Sequence, residues 1–217
     1  ARYALFSQNY PLALSAANLV DLTKKSTMGY DPVSINPIFE TATSTNNVWQ
    51  PIDSTFGLPI ALRPTLTDKR VQFYTTINPT IAPRYRVGGF GLTATTPWPY
   101  YVPGEITLIK AEAYARMTPP DLVNAVIELN KVIAKQPAAD PFGIGAGEPP
   151  YSGALTQAAI LDEIYRQRQI ELYMMGFKLE DMRRFGRPLT VERKRNFFPY
   201  PFRERDNNPN TPSDPLY

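Results

Sequence analysis

The stretch TPPDLVNAVIELNKVI at residues 118–133 decides the fold class, because it carries a complete signal for one amphipathic helix. Its apolar side chains recur at intervals of three and four residues, at Leu122, Val126, Leu129 and Val132/Ile133. That spacing places them on one helix face. Ahead of them, Thr118 stands as the predicted N-cap, with Pro119 at the first helical position and Asp121 as a box-like acid. The stretch therefore predicts a helix that ends near Ile133.

The residues just before this stretch predict a second helix. One apolar stripe consists of Ile106, Ile109, Ala113 and Met117, and a second face carries Leu108, Ala111 and Ala115. A helix with apolar or small residues on two faces suits a position between neighbouring helices. Two helices joined by a short turn form an αα-hairpin, the unit of tetratricopeptide-like stacks. We therefore predict an all-α fold, an α-α superhelix of tetratricopeptide-like hairpins with a scaffold at residues 105–186.

Two further segments extend the helical pattern. Residues 1–25 carry one apolar face, made of Leu12, Ala16, Leu19 and Val20, after a turn that contains Pro11. They predict a helix hairpin whose beginning is missing, so we expect an N-terminally truncated fragment. A long helix is predicted to start near Thr156, with an apolar stripe that reaches Met182 and is interrupted at Gly176.

Arg168 falls inside that stripe, where a charge is costly unless it is paired. Glu171, three residues on, is the predicted partner, and Glu163 completes a structural ion-pair network. Glu163 and Glu171 are also the carboxylates that a glycoside hydrolase would need. Eight residues apart on one helix, they are separated by roughly 12 Å along its axis, which misses both catalytic spacings. The pattern favours the network over catalysis.

The 23 prolines lie mostly outside these helices. They concentrate in an irregular, Pro/aromatic-rich segment at residues 26–104 and in residues 187–217, for which we predict an extended C-terminal tail packed on the scaffold. The long segment is compatible with short strands around residues 70–74 and 84–90. Segments this long without helical periodicity are usually functional or disordered, and the aromatic content argues for an ordered ligand-face region.

The candidate ligand-binding residues in this region are Trp49, Asn46, Asn47, Asp53, Tyr74 and Tyr85. A flat ring can cover the apolar face of a sugar while neighbouring polar groups bind its hydroxyls. Trp49 is the first choice, because hydrogen-bonding side chains surround it in sequence. The alternative stays open that these aromatics anchor the irregular segment onto the helices.

Composition excludes several function classes. The 217 residues contain neither cysteine nor histidine, so Ser-His-Asp and Cys-His catalysis and His/Cys zinc sites are ruled out. No apolar run is long enough to span a membrane. Acidic residues are interleaved among the basic ones between Lys178 and Arg205, which argues against nucleic-acid binding. The turn at residues 206–210 lacks the ligand spacing of a calcium loop, and we predict no metal and no cofactor.

Three motifs in order carry a family resemblance. They are YVPGEITLIKAEA at 101–113; EIYRQRQIEL at 163–172 followed by GFK at 176–178 and DMRR at 181–184; and FPYP at 198–201 followed by NPN at 208–210. Together they resemble the C-terminal half of the SusD/RagB family, the surface glycan-binding lipoproteins of Bacteroidetes outer membranes. Gln167 and Met175 depart from the pattern, because Glu is frequent at both positions in the family.

The resemblance implies a non-catalytic protein of polysaccharide utilization. Such a protein binds an oligosaccharide, or another oligomeric nutrient such as a peptide, and delivers it to a SusC-like TonB-dependent transporter. It would be a surface-exposed lipoprotein of the cell outer membrane, held by an N-terminal lipid anchor absent from this chain. Two alternatives remain at this point: a tetratricopeptide-like protein–protein adaptor and a carboxylate-only glycoside hydrolase.

Overall fold

The structure is a computed structural model that describes residues 1–44, 51, 53–77, 85–188, 192 and 197–214. The chain divides into two compact units, Ala1–Met174 and Met175–Tyr217. Helices dominate the described residues, and the strands form only two small two-stranded sheets. The predicted all-α class with long loops is therefore confirmed. No helix in the described ranges combines the length and the apolar character needed to cross a membrane.

The helices of the first unit are α1 (Arg2–Phe6), α2 (Tyr10–Asn18), α3 (Lys69–Tyr74), α4 (Pro103–Arg116), α5 (Leu122–Ile133) and α6 (Gln157–Glu171). Its strands are β1 (Thr27–Met28), β2 (Thr75–Ile77), β3 (Tyr85–Val87) and β4 (Trp98–Pro99), with β1 antiparallel to β4 and β2 antiparallel to β3. A π-helical turn covers Phe39–Thr43, and 3-10 turns cover Gly89–Gly91 and Pro137–Ala139. The second unit contains α7 (Lys178–Arg184) and α8 (Phe202–Asn207).

Helix α4 is the centre of the first unit and packs against α1, α2, α5 and α6. One apolar cluster joins it to the first two helices and consists of Ala4, Leu5, Ala13, Ala17, Ile106, Ile109 and Ala113. Leu108, Ala111 and Ala115 on the other face are also buried. Each large aliphatic side chain buried in this way contributes about 1.5–3 kcal/mol. The two-faced sequence pattern thus predicted correctly that this helix is enclosed by neighbours.

Side chains set the start of the two helices that flank α4. The Thr156 hydroxyl accepts the Ala159 N–H at 3.3 Å, so α6 begins where the sequence predicted. The predicted cap of α5 was wrong. Asp121, rather than Thr118, is the N-cap, because its carboxylate accepts the Asn124 N–H at 3.0 Å.

Three other expectations about local structure need correction. Residues 69–74 form a helix rather than a strand, and Asp68 caps it by accepting the Arg70 N–H at 3.0 Å. The predicted long helix ends at Glu171 and α7 starts at Lys178, with left-handed backbone at Met174 and Gly176 in between. The tail predicted to be extended contains α8, which follows Pro201.

Candidate ligand-binding groove

Aromatic rings from the irregular segment and the helices form one continuous cluster in the first unit. Its members are Phe56, Phe73, Tyr74, Phe90, Trp98, Phe142 and Tyr173. Most neighbouring rings meet edge to face, an arrangement that adds about 0.5–1.5 kcal/mol per pair beyond area burial. The cluster reaches from Trp98 in β4, through Phe73 and Tyr74 of α3, to Tyr173, two residues after the end of α6. It therefore anchors the irregular segment to the helices, as one of the two sequence interpretations expected.

One pair in this cluster is parallel. The rings of Phe56 and Tyr173 stack with centroids 4.3 Å apart and an interplanar angle of 19°. Phe56 is only 4% exposed, whereas Tyr173 is half-buried and offers the more accessible ring. Phe56 has a positive φ of 56° and is followed by Gly57 at 67°. A bulky residue in this conformation costs about 1–3 kcal/mol and persists only where its surroundings hold it.

A pocket of ≈ 290 Å³ opens beside this pair and is also lined by Asp53 and Thr55. Burial, and then the charge of Asp53, raises the pKa of the Tyr173 phenol above its ordinary value of 10.0. The phenol therefore remains a hydrogen-bond donor at neutral pH. Asp53 adds an exposed acceptor next to it.

A second, more polar pocket of ≈ 560 Å³ adjoins the first and shares Thr55 with it. Its lining includes Arg63, Glu163 and Arg166. Arg166 is fixed from two sides, since its guanidinium donates to the Glu163 carboxylate at 2.9 Å and to the Arg63 carbonyl at 3.1 Å. We call the two pockets together the aromatic groove. It combines a half-exposed ring with fixed donors and acceptors, as small-molecule sites commonly do.

The structure describes only some of the residues predicted for ligand binding. Asn46, Asn47 and Trp49 lie outside the described residues, so their roles stay predictions. Asp53 lines the aromatic groove. Tyr85 is half-buried in β3 opposite Ile77 and is not among the described lining residues of the groove.

Tyr74 needs a correction, because its ring lies in the core at 2% exposure. Its hydroxyl donates to the Glu171 carbonyl at 2.6 Å. A ring enclosed in this way cannot offer a face to a ligand in this structure. Phe56, Tyr173, Arg63 and Arg166 were missed, because nothing in the sequence indicates that residues 53–66 meet α6.

Glu163 and Glu171, two members of the predicted ion-pair network, form ion pairs with residues that the sequence did not indicate. Glu171 pairs with Arg70 at 3.1 Å and with Lys135 at 2.7 Å, and Lys135 also reaches Asp140 at 2.6 Å. Gln167 links this group to Glu163, since it donates to Glu163 at 2.7 Å and accepts from Arg70 at 2.7 Å.

Arg168 is buried in the same helix, but the partners shown for Glu171 come from α3 and from the residues after α5. The partners shown for Glu171 are thus long-range ones, and the Arg168–Glu171 pair stays a prediction. Burial disfavours a charged Lys135, yet Glu171 and Asp140 outweigh it and raise the pKa of Lys135 above its ordinary 10.5. Lys135 thus stays charged at neutral pH, and the network fixes α6, which carries part of the groove. Among the described residues, no cluster of three or more acidic side chains could hold a metal ion.

Comparison with known proteins gives one informative result. No curated protein and no solved structure matches the chain. The family model described as the SusD family matches residues 91–213, more than half of the chain. That range includes α4, α5 and α6 together with the groove residues Glu163, Arg166 and Tyr173. The chain therefore belongs to the SusD family.

Proposed function

We propose that this protein captures an oligosaccharide, or another oligomeric nutrient, in the aromatic groove and delivers it to a SusC-like TonB-dependent transporter. Members of the SusD family are generally non-catalytic proteins that bind nutrients, glycans among them, at the cell surface. The observation that carries the choice of site is the Tyr173–Phe56 stack beside Asp53 and the fixed Arg166.

The groove suits a sugar for physical reasons. The accessible Tyr173 ring can cover the apolar C–H face of one pyranose unit, while Phe56 behind it holds the ring in place. Asp53 accepts from hydroxyl groups, and Arg166 donates to them. Since these groups are already held by protein contacts, binding loses less side-chain entropy than a mobile site would.

Calorimetric titration of the full-length protein with a panel of oligosaccharides tests the site. Tyr173→Ala should weaken the best ligand about tenfold or more, as loss of an aromatic anchor does. Tyr173→Phe keeps the ring and should stay near wild type. Tyr3→Ala is the matched control, because Tyr3 is 88% exposed on α1 and does not line the groove. Equal affinity of Tyr173→Ala and Tyr3→Ala would refute the proposed site.

The earlier prediction for Trp49 is tested in the same titration. Trp49→Ala should also weaken binding if the segment that precedes Asp53 supplies a second ring to the ligand. An unchanged affinity would remove Trp49 from the site and leave the Tyr173 proposal intact. Release of reducing ends from any bound glycan would contradict a non-catalytic role.

Delivery to a transporter and the membrane anchor are proposals about the whole protein. Proteins of this family are typically outer-membrane surface lipoproteins that work with SusC-like transporters. Affinity purification of the full-length protein from detergent-solubilised outer membranes should recover such a transporter. Cells in which Tyr173→Ala replaces the wild type should take up the ligand more slowly while the complex still forms. Failure to recover any transporter would contradict delivery.

A further inference from the structure

A separate, smaller pocket in the first unit has walls of phenyl rings. It measures ≈ 230 Å³ and is lined by Phe73, Phe90, Phe142, Lys25, Thr27 and Thr96, among others. None of its lining residues belongs to the aromatic groove. It takes no part in the function proposed above.

The rings that form the walls are held in fixed orientations. Phe90 meets Phe73 edge to face at 5.4 Å and Phe142 at 5.6 Å between centroids. Gly89 at the pocket has a φ of +55°, and a Cβ there would lie 2.9 Å from the Phe73 ring. The glycine therefore allows the backbone to pass against Phe73. The result is a preformed apolar slot rather than a chance gap between mobile side chains.

Lys25 gives this slot a positive charge at one side. Its ammonium nitrogen lies 5.3 Å from the centroid of the Phe142 ring, and the side chain is exposed. Within the described parts of the chain, no carboxylate is paired with Lys25. An apolar slot with an available ammonium group is complementary to a ring that carries an anion.

We propose that this pocket binds an aryl carboxylate of benzoate to cinnamate size, with the aryl ring among the phenylalanines and the carboxylate on Lys25. The volume is below the roughly 300–1,000 Å³ of pockets that hold drug-sized ligands, which limits the occupant to about one ring.

A uronic acid sugar also presents a ring with a carboxylate, but it carries several hydroxyl groups. The side-chain hydroxyls in this lining are those of Thr27 and Thr96, and Thr96 is already engaged with Thr93 at 2.7 Å. Hydroxyls buried against phenyl rings without partners are strongly disfavoured. The apolar lining therefore favours binding of an aryl carboxylate over binding of a uronic acid.

Titration with cinnamate, followed by NMR, tests the proposal in the full-length protein. The 217-residue chain has two tryptophans, and the Trp98 ring lies 5.9 Å from that of Phe90. The indole N–H signal of Trp98, assigned with Trp98→Phe, should shift as cinnamate binds. Lys25→Met should weaken cinnamate about threefold to fivefold at low salt, the range of an exposed ion pair. Lys24→Met, an exposed neighbour outside the pocket lining, should leave the affinity unchanged.

Neutral and sugar analogues complete the test. Cinnamyl alcohol should bind the wild type and Lys25→Met equally, because it has no charge for Lys25. Glucuronate should bind more weakly than cinnamate or leave the Trp98 signal unmoved. The proposal is overturned if cinnamate causes no shift up to about 10 mM, if Lys25→Met binds cinnamate as tightly as Lys24→Met does, or if glucuronate binds more tightly. None of these outcomes depends on oligosaccharide binding in the aromatic groove.

Discussion

Arg70→Met tests whether the buried ion-pair network holds α3 to α6. The Arg70 side chain is fully buried and donates to Asp68 at 3.0 and 2.7 Å, to Gln167 at 2.7 Å and to Glu171 at 3.1 Å. Methionine is shorter than arginine, but it is unbranched, apolar and uncharged. The substitution therefore removes the cation while it keeps most of the packed volume.

The expected magnitude follows from the charges that remain. Three buried carboxylates, those of Asp68, Asp140 and Glu171, share two cations, Arg70 and Lys135. Without Arg70 they share one, and Asp68 loses its ion-pair partner. Breaking a buried pair from one side costs about 3–5 kcal/mol. Since a typical domain is stable by about 5–15 kcal/mol, Arg70→Met should remove a large part of the unfolding free energy.

Urea denaturation monitored by circular dichroism measures this loss. Lys69→Met is the matched control on the same helix, because Lys69 is exposed and its ammonium group donates to the Gln136 side chain at 2.6 Å. Its unfolding free energy should lie within about 0.5 kcal/mol of wild type. Adding Asp68→Asn to Arg70→Met should restore part of the stability, because it removes a carboxylate left without its partner. If Arg70→Met is within about 1 kcal/mol of Lys69→Met, the network does not stabilise the fold as argued.

Three further predictions are tested by urea or thermal unfolding. Gly104→Ala would place a Cβ 1.9 Å from the Glu171 carboxylate and should lower the free energy of unfolding by about 1–3 kcal/mol or more. Gly29→Ala is the control, because a Cβ at Gly29 has no neighbour within 4 Å and should be tolerated. Burial raises the pKa of Tyr74 well above 10.0. The contribution of the Tyr74 phenol to the free energy of unfolding is therefore complete below pH 10 and declines as the pH rises further. Tyr74→Phe should therefore lower stability at pH 7 by about 1 kcal/mol and make the decline above pH 10 shallower; an unchanged alkaline slope would contradict this. Asp121→Ala should lower the melting temperature of the protein and Asp121→Asn should not, because either Asp or Asn can cap α5.

The sequence could predict the scaffold because its signals are local. Helix α4 is enclosed by neighbours, as its two apolar faces indicated, and α6 begins after Thr156. Both results depend on residues three or four positions apart. The cap of α5 shows the limit of such patterns, since Thr118 and Asp121 are both good caps and only the three-dimensional structure shows which side chain accepts the bond.

The irregular segment could not be predicted in the same way. Residues 69–74 include Val71, Phe73 and Tyr74, which favour strands by propensity. They form a helix because Asp68 caps its first turn and the buried Arg70 pairs with α6. Arg70 and Glu171 are 101 positions apart. A local rule could suggest only Arg168 as the partner of Glu171, and it could not reach the long-range pair with Arg70.

The same long-range contacts explain why the motifs at residues 101–113 and 163–172 occur together in this chain. Gly104 has no Cβ, so the Glu171 carboxylate can lie against the start of α4 while it pairs with Arg70 and Lys135. Tyr173, two residues after Glu171, is the ring of the aromatic groove, and Tyr74 contacts both residues.

Residues that stabilise the scaffold therefore also fix the proposed binding surface. Glu171 is held inside the network, and the end of α6 that precedes Tyr173 is held with it. The Phe56 backbone conformation is unfavourable by itself, so its position depends on packing against Tyr74 and Tyr173. A substitution that loosens the network should then weaken ligand binding before it unfolds the chain, because the Tyr173 stack loses its fixed support. Gln167→Leu removes the link between Arg70 and Glu163, so its oligosaccharide affinity and its unfolding can be measured separately. A folded variant that binds the oligosaccharide more weakly supports the coupling between network and groove. A folded variant with wild-type affinity contradicts it.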